Sequence, residues 1–253
     1  MKSKTLKSTE GSEVTILVVG ASGATGRLLV EELLNRGHYV IAIVRSPESL
    51  PNHLVDNLKL TVVIASVLEL SDAELAQHVG GCDAVASCLG HNLSLKGIFG
   101  QPRRLVTDAV RRLCYAIKSS NSMKPTKFVL MNTTGNRNRD LHEPISFAQK
   151  CIIGLIRILV PPHADNEEAA DYLRVEIGQD GQAIDWTVVR PDSLINNEKV
   201  TAYEVYPSPT RSAIFDAGKT SRINVAHFMA DLITDADTWQ RWKGQMPVIY
   251  NDH

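Results

Sequence analysis

The sequence predicts an α/β protein, a mostly parallel sheet with helices on both faces. Three observations carry this expectation. Short apolar runs rich in β-branched residues alternate with stretches of helical periodicity along most of the chain. The first run, ILVV, shows no polar alternation, as expected of a strand buried on both faces. It leads into three glycines, Gly20, Gly23 and Gly26, placed where strand gives way to helix.

Residues 14–19 form the first strand. Residues 24–35 follow as a helix, with Leu28, Leu29, Leu33 and Leu34 on one side and Gly37 as its stop. Residues 39–44 (YVIAIV) and 60–65 are the second and third strands, and residues 72–79 a short helix capped by Ser71. A fourth strand spans 84–89, a long helix 102–118 and a fifth strand 127–131. Residues 166–177 are helical, and 186–190 (WTVVR) form a sixth strand closed by Pro191. A late helix spans 224–233, and 248–250 form a last short strand. There is no internal repeat and no low-complexity linker.

The 253 residues, 43% of them hydrophobic, suffice for one full core. The expected plan is a disordered polar tail, residues 1–13, and a single domain, residues 14–253. The tail lacks the apolar core of a signal peptide, and no stretch reaches the roughly 18 apolar residues that span a bilayer. A net charge of -1 argues against a nucleic-acid partner bound through a basic field. The pairs Arg103-Arg104 and Arg111-Arg112 read as solvated helix faces. Cys82, Cys88, Cys114 and Cys151 form no CxxC and no zinc-binding spacing. They read as free thiols of a reducing compartment, here the cytoplasm, with no metal site. Residues 144–160, PISFAQKCIIGLIRILV, are apolar on too many sides for an exposed helix. They read as a core or dimer-packing helix, as an apolar lid over a substrate pocket in an insert spanning about 142–164, or as a membrane-surface helix. The chain is expected to be a monomer or a homodimer without stable membrane insertion.

A parallel sheet places its ligand crevice at the carboxyl ends of its strands. GASGATGR, residues 20–27, lies at such an end. Gly20 suits a tight turn, Gly23 lets a pyrophosphate approach the backbone, and Gly26 lets the helix pack close to the sheet. The amino end of the helix then faces the phosphates, and Ser22 and Thr25 add hydroxyls. In this setting the GxxGxxG spacing predicts dinucleotide binding and a Rossmann-like, doubly wound sheet. The second strand ends in Val44-Arg45-Ser46 rather than in the Asp or Glu that bonds an adenosine 2′-hydroxyl. An Arg there accommodates a 2′-phosphate, which favours NADP(H) over NAD(H). Arg27 reads as a second phosphate partner or as an exposed helix residue.

The segments GASGATGR, IAIVRSPESL, CDAVASCLG, FVLMNTTG, Tyr172-Leu173-Arg174 leading to WTVVRPDSL, and SRINVAHFMADLI carry a resemblance. The chain resembles the atypical short-chain dehydrogenase/reductases with an NAD(P)-binding, NmrA-like fold, and more narrowly their biliverdin-IXβ/flavin reductase branch. The resemblance covers nearly the whole chain after the tail and implies a small C-terminal substrate-side region. It implies that Gly20, Ser22, Gly23, Ala24, Thr25 and Gly26 line the pyrophosphate, and that Arg45 and Ser46 hold the 2′-phosphate. Ser66 and Val67 would flank the adenine, and Cys88, Leu89 and Gly90 would pass along the ribose. Asn132 and Thr133 would lie near the nicotinamide, with Pro191, Ser193 and Leu194 closing over its carboxamide. Three positions depart from the pattern. Ala65-Ser66 replaces a Gly-Asp pair on the adenine side, Thr133 replaces a Ser, and Ser193 stands where the tetrapyrrole and flavin reductases carry a His.

The Tyr-xxx-Lys pair of classical members is absent: Tyr115, Tyr172, Tyr203 and Tyr206 have no Lys four residues on. The expected chemistry is therefore hydride transfer from NAD(P)H to a small flat acceptor such as a flavin, a quinone or a tetrapyrrole. Such an acceptor asks the protein chiefly for positioning and exclusion of water. The alternative is a regulator that senses NADP(H) without turnover. His91 reads as a proton donor or substrate hydrogen bond, or as a loop histidine facing water. Thr133 reads as a group that orients nicotinamide or acceptor, or as a strand-end hydroxyl satisfied by backbone. His163 reads as part of the loop before a helix, with Asp165 a possible cap. No GxSxG elbow points to hydrolysis.

Overall fold

The alternating runs become a sheet whose two faces are both covered. The computed structural model describes residues 13–91, 100–120, 122–141, 143, 152, 154, 160–179 and 181–252. Its first half contains β1 (Thr15–Val19), α1 (Gly26–Asn35), β2 (Tyr39–Val44), α2 (Asn52–Val55), β3 (Leu60–Ile64), α3 (Asp72–Val79), β4 (Ala84–Ser87), α4 (Leu105–Ser119) and β5 (Thr126–Met131). Its second half contains α5 (Pro161–Asp171), β6 (Ile184–Pro191), β7 (Ser193–Ile195), β8 (Tyr203–Tyr206), β9 (Lys219–Ser221), α6 (Arg222–Thr234), α7 (Ala236–Trp242) and β10 (Val248–Asn251). Among the described residues the main sheet has eight strands in the order β3-β2-β1-β4-β5-β6-β10-β8. All neighbours are parallel except β8, which pairs antiparallel with β10. β7 and β9 form a separate small parallel pair.

Register sorts the strand residues onto two faces. Leu17 pairs with Ile41 and Val85, Val85 with Phe128, and Phe128 with Trp186. This row packs under α3 and α4 through Leu75 and Leu113 and under the turn that continues α5 through Leu173. On the other face Val18 pairs with Ala42 and Ala86, and Ala86 with Val129. The small alanines leave room for Leu29 and Leu33 of α1 and Phe228 and Met229 of α6. Fully burying one such side chain contributes about 1.5–3 kcal/mol, so the two layers fix the doubly wound arrangement. Strand order reverses at β1, between β2 and β4, and opens a crevice at their carboxyl ends.

Several boundaries differ from the sequence expectation. α4 starts at Leu105 rather than at 102, because the Asp165 carboxylate accepts from the Val106 and Thr107 N–H groups and marks the first turn there. α5 starts at Pro161 rather than at 166; Pro161 and Pro162 occupy first-turn positions where no N–H is needed. The chain then continues as a wider π-type turn over Tyr172–Ile177. α7 is capped by Asp235, whose side chain accepts from the Thr238 N–H. Of the tail, residues 1–12 lie outside the described residues, whereas Glu13 pairs with Lys59 at 2.6 Å. The apolar segment 144–160 also lies outside them, apart from Ile152, Gly154 and Val160. Residues 161–164, expected to close the insert, form the first turn of α5. No helix among the described residues is long and apolar enough to cross a membrane.

The end of β6 is held by a buried charge. Arg190 is fully buried and donates to both carboxylate oxygens of Glu143, at 2.7 and 3.1 Å. It also donates to the carbonyls of Met246, Asn136 and Pro207. It thereby joins β6, the turn after β5, the loop after β8 and the approach to β10. Replacing Arg190 by Leu strands the Glu143 carboxylate in the interior. Arg190→Leu is expected to cost about 3–5 kcal/mol in denaturant unfolding, and a loss below 1 kcal/mol would contradict the role assigned to the pair.

Candidate functional site

The glycine turn is shaped by close backbone approach. Gly20 has φ +72°, and a Cβ on it would lie 2.6 Å from the carbonyl carbon of Cys88. A Cβ on Gly26 would lie 2.1 Å from the Gly20 carbonyl oxygen. The Gly23 N–H donates to that same oxygen at 3.0 Å and closes the turn. α1 therefore begins directly above the end of β1. Its N-cap residue, Thr25, makes no side-chain capping bond, and its first turn holds no acid. The Arg27 N–H is taken by the Gly23 carbonyl at 3.0 Å; the positive pole of α1 remains uncompensated by any acid and faces an anion favourably.

A cleft runs from this turn across the strand ends. Gly20, Ser22 and Gly23 line one wall, and Ile43, Val44 and Arg45 at the end of β2 continue it. Ala65, Ser66, Val67 and Leu68 follow β3, and Cys88, Leu89 and Gly90 follow β4. Pro102 and Leu105, at the start of α4, complete the lining. The part beyond β3 is mostly apolar, as a planar base requires. Among the described residues, Arg45 is the cationic side chain on the cleft wall. Pro102 and Leu105 were not anticipated; nothing local in the sequence says that the start of α4 folds back over the crevice.

The sequence-derived residues divide into three groups. Gly20, Ser22, Gly23, Arg45, Ser66, Val67, Cys88, Leu89 and Gly90 come together in the cleft. Thr25 and Gly26 are buried beneath it, Ala24 and Arg27 are exposed on the α1 side, and Ser46 donates to the Glu48 carboxylate, which that bond holds below its ordinary pKa. Asn132 and Thr133 follow β5, Pro191 ends β6, and Ser193 and Leu194 belong to β7, all outside the cleft lining. The Cys88 thiol is pushed up to about 12 by burial and is no nucleophile at neutral pH.

At the β5 end, side chains are engaged with backbone. Asn132 donates to the Asn166 carbonyl at 2.9 Å and accepts from the Thr133 N–H at 2.8 Å, so it ties β5 to α5. The Thr133 hydroxyl accepts from the Gly135 N–H at 3.3 Å. Asp192 lies within the 191–194 stretch, and its partners come from outside it as well as from its neighbour. Its carboxylate accepts from Ser193 N–H and Gly218 N–H, both at 2.9 Å, and its burial raises its pKa.

His91 does not face water. Its side chain is 5% exposed, and its Nε2 lies 2.7 Å from Asp165 Oδ2. The same carboxylate accepts from Val106 N–H at 2.8 Å and Thr107 N–H at 2.9 Å, and the Asp165 carbonyl accepts from the Thr107 hydroxyl at 2.9 Å. Asp165 thus caps α4 rather than its own helix. It clamps His91, next to Gly90, to the helix turn carrying Leu105, two walls of the cleft.

Comparison with known proteins agrees with this geometry. A family model described as NAD(P)H-binding matches residues 20–236. A chloroplastic divinyl chlorophyllide a 8-vinyl-reductase from Zea mays is 40% identical over 88 residues, which are 31% of this chain and 21% of that protein. The match therefore spans about a fifth of that relative's length. A wide-type short-chain dehydrogenase/reductase from Veillonella parvula, solved in complex with NADP, superposes at TM-score 0.68 with 18% identity over 94% of each chain. The anaerobillin reductase ChuY from Escherichia coli O157:H7 superposes at TM-score 0.63 with 17% identity, over 94% of this chain and 97% of that one. These two structures share the fold.

The clamp generates a prediction. Asp165→Asn keeps the shape but removes the charge shared by three donors. A loss of about 2–3 kcal/mol in unfolding is expected from the weakened charge-assisted bonds. Hydrogen exchange should be faster at the Val106 and Thr107 amides; unchanged protection there would contradict the clamp.

Proposed function

The chain belongs to the NAD(P)H-binding family, and we propose that it is an NADPH-dependent reductase of a small flat acceptor such as a flavin, a quinone or a tetrapyrrole. The observation that carries the reading is the cleft at the carboxyl ends of β1 to β4, closed at one end by the uncapped amino terminus of α1. The residues present fit a dinucleotide. The glycine cradle admits no Cβ, the helix end offers N–H groups to a pyrophosphate, and the slot formed by Ala65, Val67 and Leu68 suits an adenine. Arg45 at the end of β2 suits a 2′-phosphate and supports NADP(H) over NAD(H).

Bound NADPH supplies a hydride. The chain's part is to hold the dinucleotide along the strand ends and to present the acceptor near the ends of β5 and β6, where Thr133, Ser193 and Leu194 lie. Likeness to a vinyl-reductase favours turnover over sensing. Cys82, Cys88 and Cys114 are free and buried, which suits the reducing cytoplasm proposed for the chain.

NADPH fluorescence, titrated with and without flavins and quinones, tests the reading. Saturable binding followed by acceptor-dependent loss of fluorescence is expected. Binding with a stable signal across the panel would replace the reductase by an NADP(H)-sensing regulator. Arg45→Ala is expected to weaken NADPH about tenfold, the equivalent of one charge-assisted contact, while NADH affinity stays unchanged. Equal NADPH affinity in the variant would remove the 2′-phosphate assignment.

A further inference from the structure

We propose that Arg112 is a positioning residue for the adenosine end of the cofactor, an assignment that rests on the NADPH reading above. The pair Arg111-Arg112 reads in the sequence as a solvated face of α4, and the structure corrects half of that reading. Arg111 is exposed, with its guanidinium 5.6 Å from the centroid of the Tyr172 ring. Arg112 turns instead toward the loop between β3 and α3, and its side chain is 23% exposed. Its Nη1 donates to the Val67 carbonyl at 2.9 Å. Its Nη2 donates to the Leu70 carbonyl and, at 2.8 Å, to Asp72 Oδ1. Val67 and its neighbour Leu68 line the cleft, in the slot that suits an adenine. The guanidinium thus holds the backbone of a residue whose side chain shapes that slot.

The loop needs such a tie. Residues 65–71, between β3 and α3, belong to no strand or helix. Their own backbone forms a short turn, in which the Ser66 carbonyl accepts from Glu69 N–H at 2.9 Å and from Leu70 N–H at 3.2 Å. The Ala65 N–H reaches the Val44 carbonyl at 2.8 Å and ties the start of the loop to β2. Further along, the carbonyls of Val67 and Leu70 are bound by Arg112, whose planar fork of N–H groups serves both at once. The anchor behind the fork is itself fixed. Leu105 and Arg112 stand about two turns apart on one face of α4. Leu105 lines the cleft, and the Asp165 carboxylate holds the first turn around it. One helix face therefore supplies part of the cleft wall directly and holds another part through Arg112. A wall already in place spares the ligand the cost of ordering it. A wall in place only part of the time weakens apparent affinity by that fraction. The bonds of Arg112 all fall on residues 67–72, so its effect belongs to the adenosine half of the ligand.

The test measures calorimetric affinity of the full chain for NADPH and for adenosine 2′,5′-bisphosphate, which is the adenosine half of NADPH. In Arg112→Gln both ligands are expected to bind about tenfold more weakly, as for a wall in place a tenth of the time. A loss with NADPH but not with the bisphosphate, or no loss with either, would overturn the assignment. Hydrogen exchange supplies a readout that a merely structural role would not move. Without ligand, the Glu69 and Leu70 amides should exchange faster in Arg112→Gln than in the wild type, and saturating bisphosphate should restore their protection. Exchange equal to wild type in the free variant would contradict the tie. Asp72→Asn keeps both carbonyl bonds and removes only an exposed ion pair, so its affinities should stay within about twofold of wild type. A loss there as large as in Arg112→Gln would overturn the carbonyl grip. Should Arg112→Gln fail to fold, Arg112→Lys carries the test: it keeps the charge but not the fork, and about a threefold loss with both ligands is expected. Unchanged affinity in that variant would overturn the assignment. If wild-type protein binds neither ligand, the NADPH reading falls and the positioning role falls with it.

Discussion

Three stretches of backbone meet at the end of β1 more closely than any side chain allows. The Cys88 carbonyl presses on Gly20, and the Gly20 carbonyl presses on Gly26. Much of the molecule follows from this contact. It sets α1 immediately above the first strand, and Ala42, Ala84 and Ala86 keep the sheet beneath it flat enough to receive Leu29 and Leu33. It brings the end of β4 against the turn, so the crevice opens where strand order reverses. A turn with side chains would push α1 outward and separate the helix terminus from the strand ends.

Two buried charges organise the rest of the carboxyl edge. Asp165 serves two backbone N–H groups and one imidazole, and Arg190 serves three carbonyls and a carboxylate. Each charge binds several loops at once because an ionised group accepts or donates in several directions. The desolvation of each is offset only when nearly every site is filled. Asp165 thereby fixes His91 against the start of α4, and Arg190 fixes Asn136 and Glu143 against the end of β6. A crevice that aligns a dinucleotide with a second molecule needs that rigidity, since small misplacements are costly to reaction rate.

The edge also divides its side chains. The cleft at the ends of β1 to β4 is lined by glycine backbone, apolar side chains and the Arg45 guanidinium, with the uncapped pole of α1 beside it. The carboxylate of Asp165 on α5 is spent on the wall of that cleft, where it holds His91 and the first turn of α4.

Features encoded within a few residues were legible in the sequence. The β-branched runs marked the places of the main parallel strands, and Ser71 caps α3 as expected, with Glu74 completing the reciprocal pair in the structure. The glycines marked the turn, and Arg45 marked the end of β2. What depended on distant partners was not legible. His91 and Asp165 are 74 positions apart, and Asp165 caps a helix some 58 positions before it. The sequence by itself determined the alternation of the parallel strands with their helices and the place of the glycine turn, because periodicity and capping act between near neighbours; the short strands β7, β8 and β9 carry no such pattern and emerged only in the structure. Only the tertiary structure decided which polar side chains meet, because a buried charge takes its partners from whatever elements the packed sheet brings within reach.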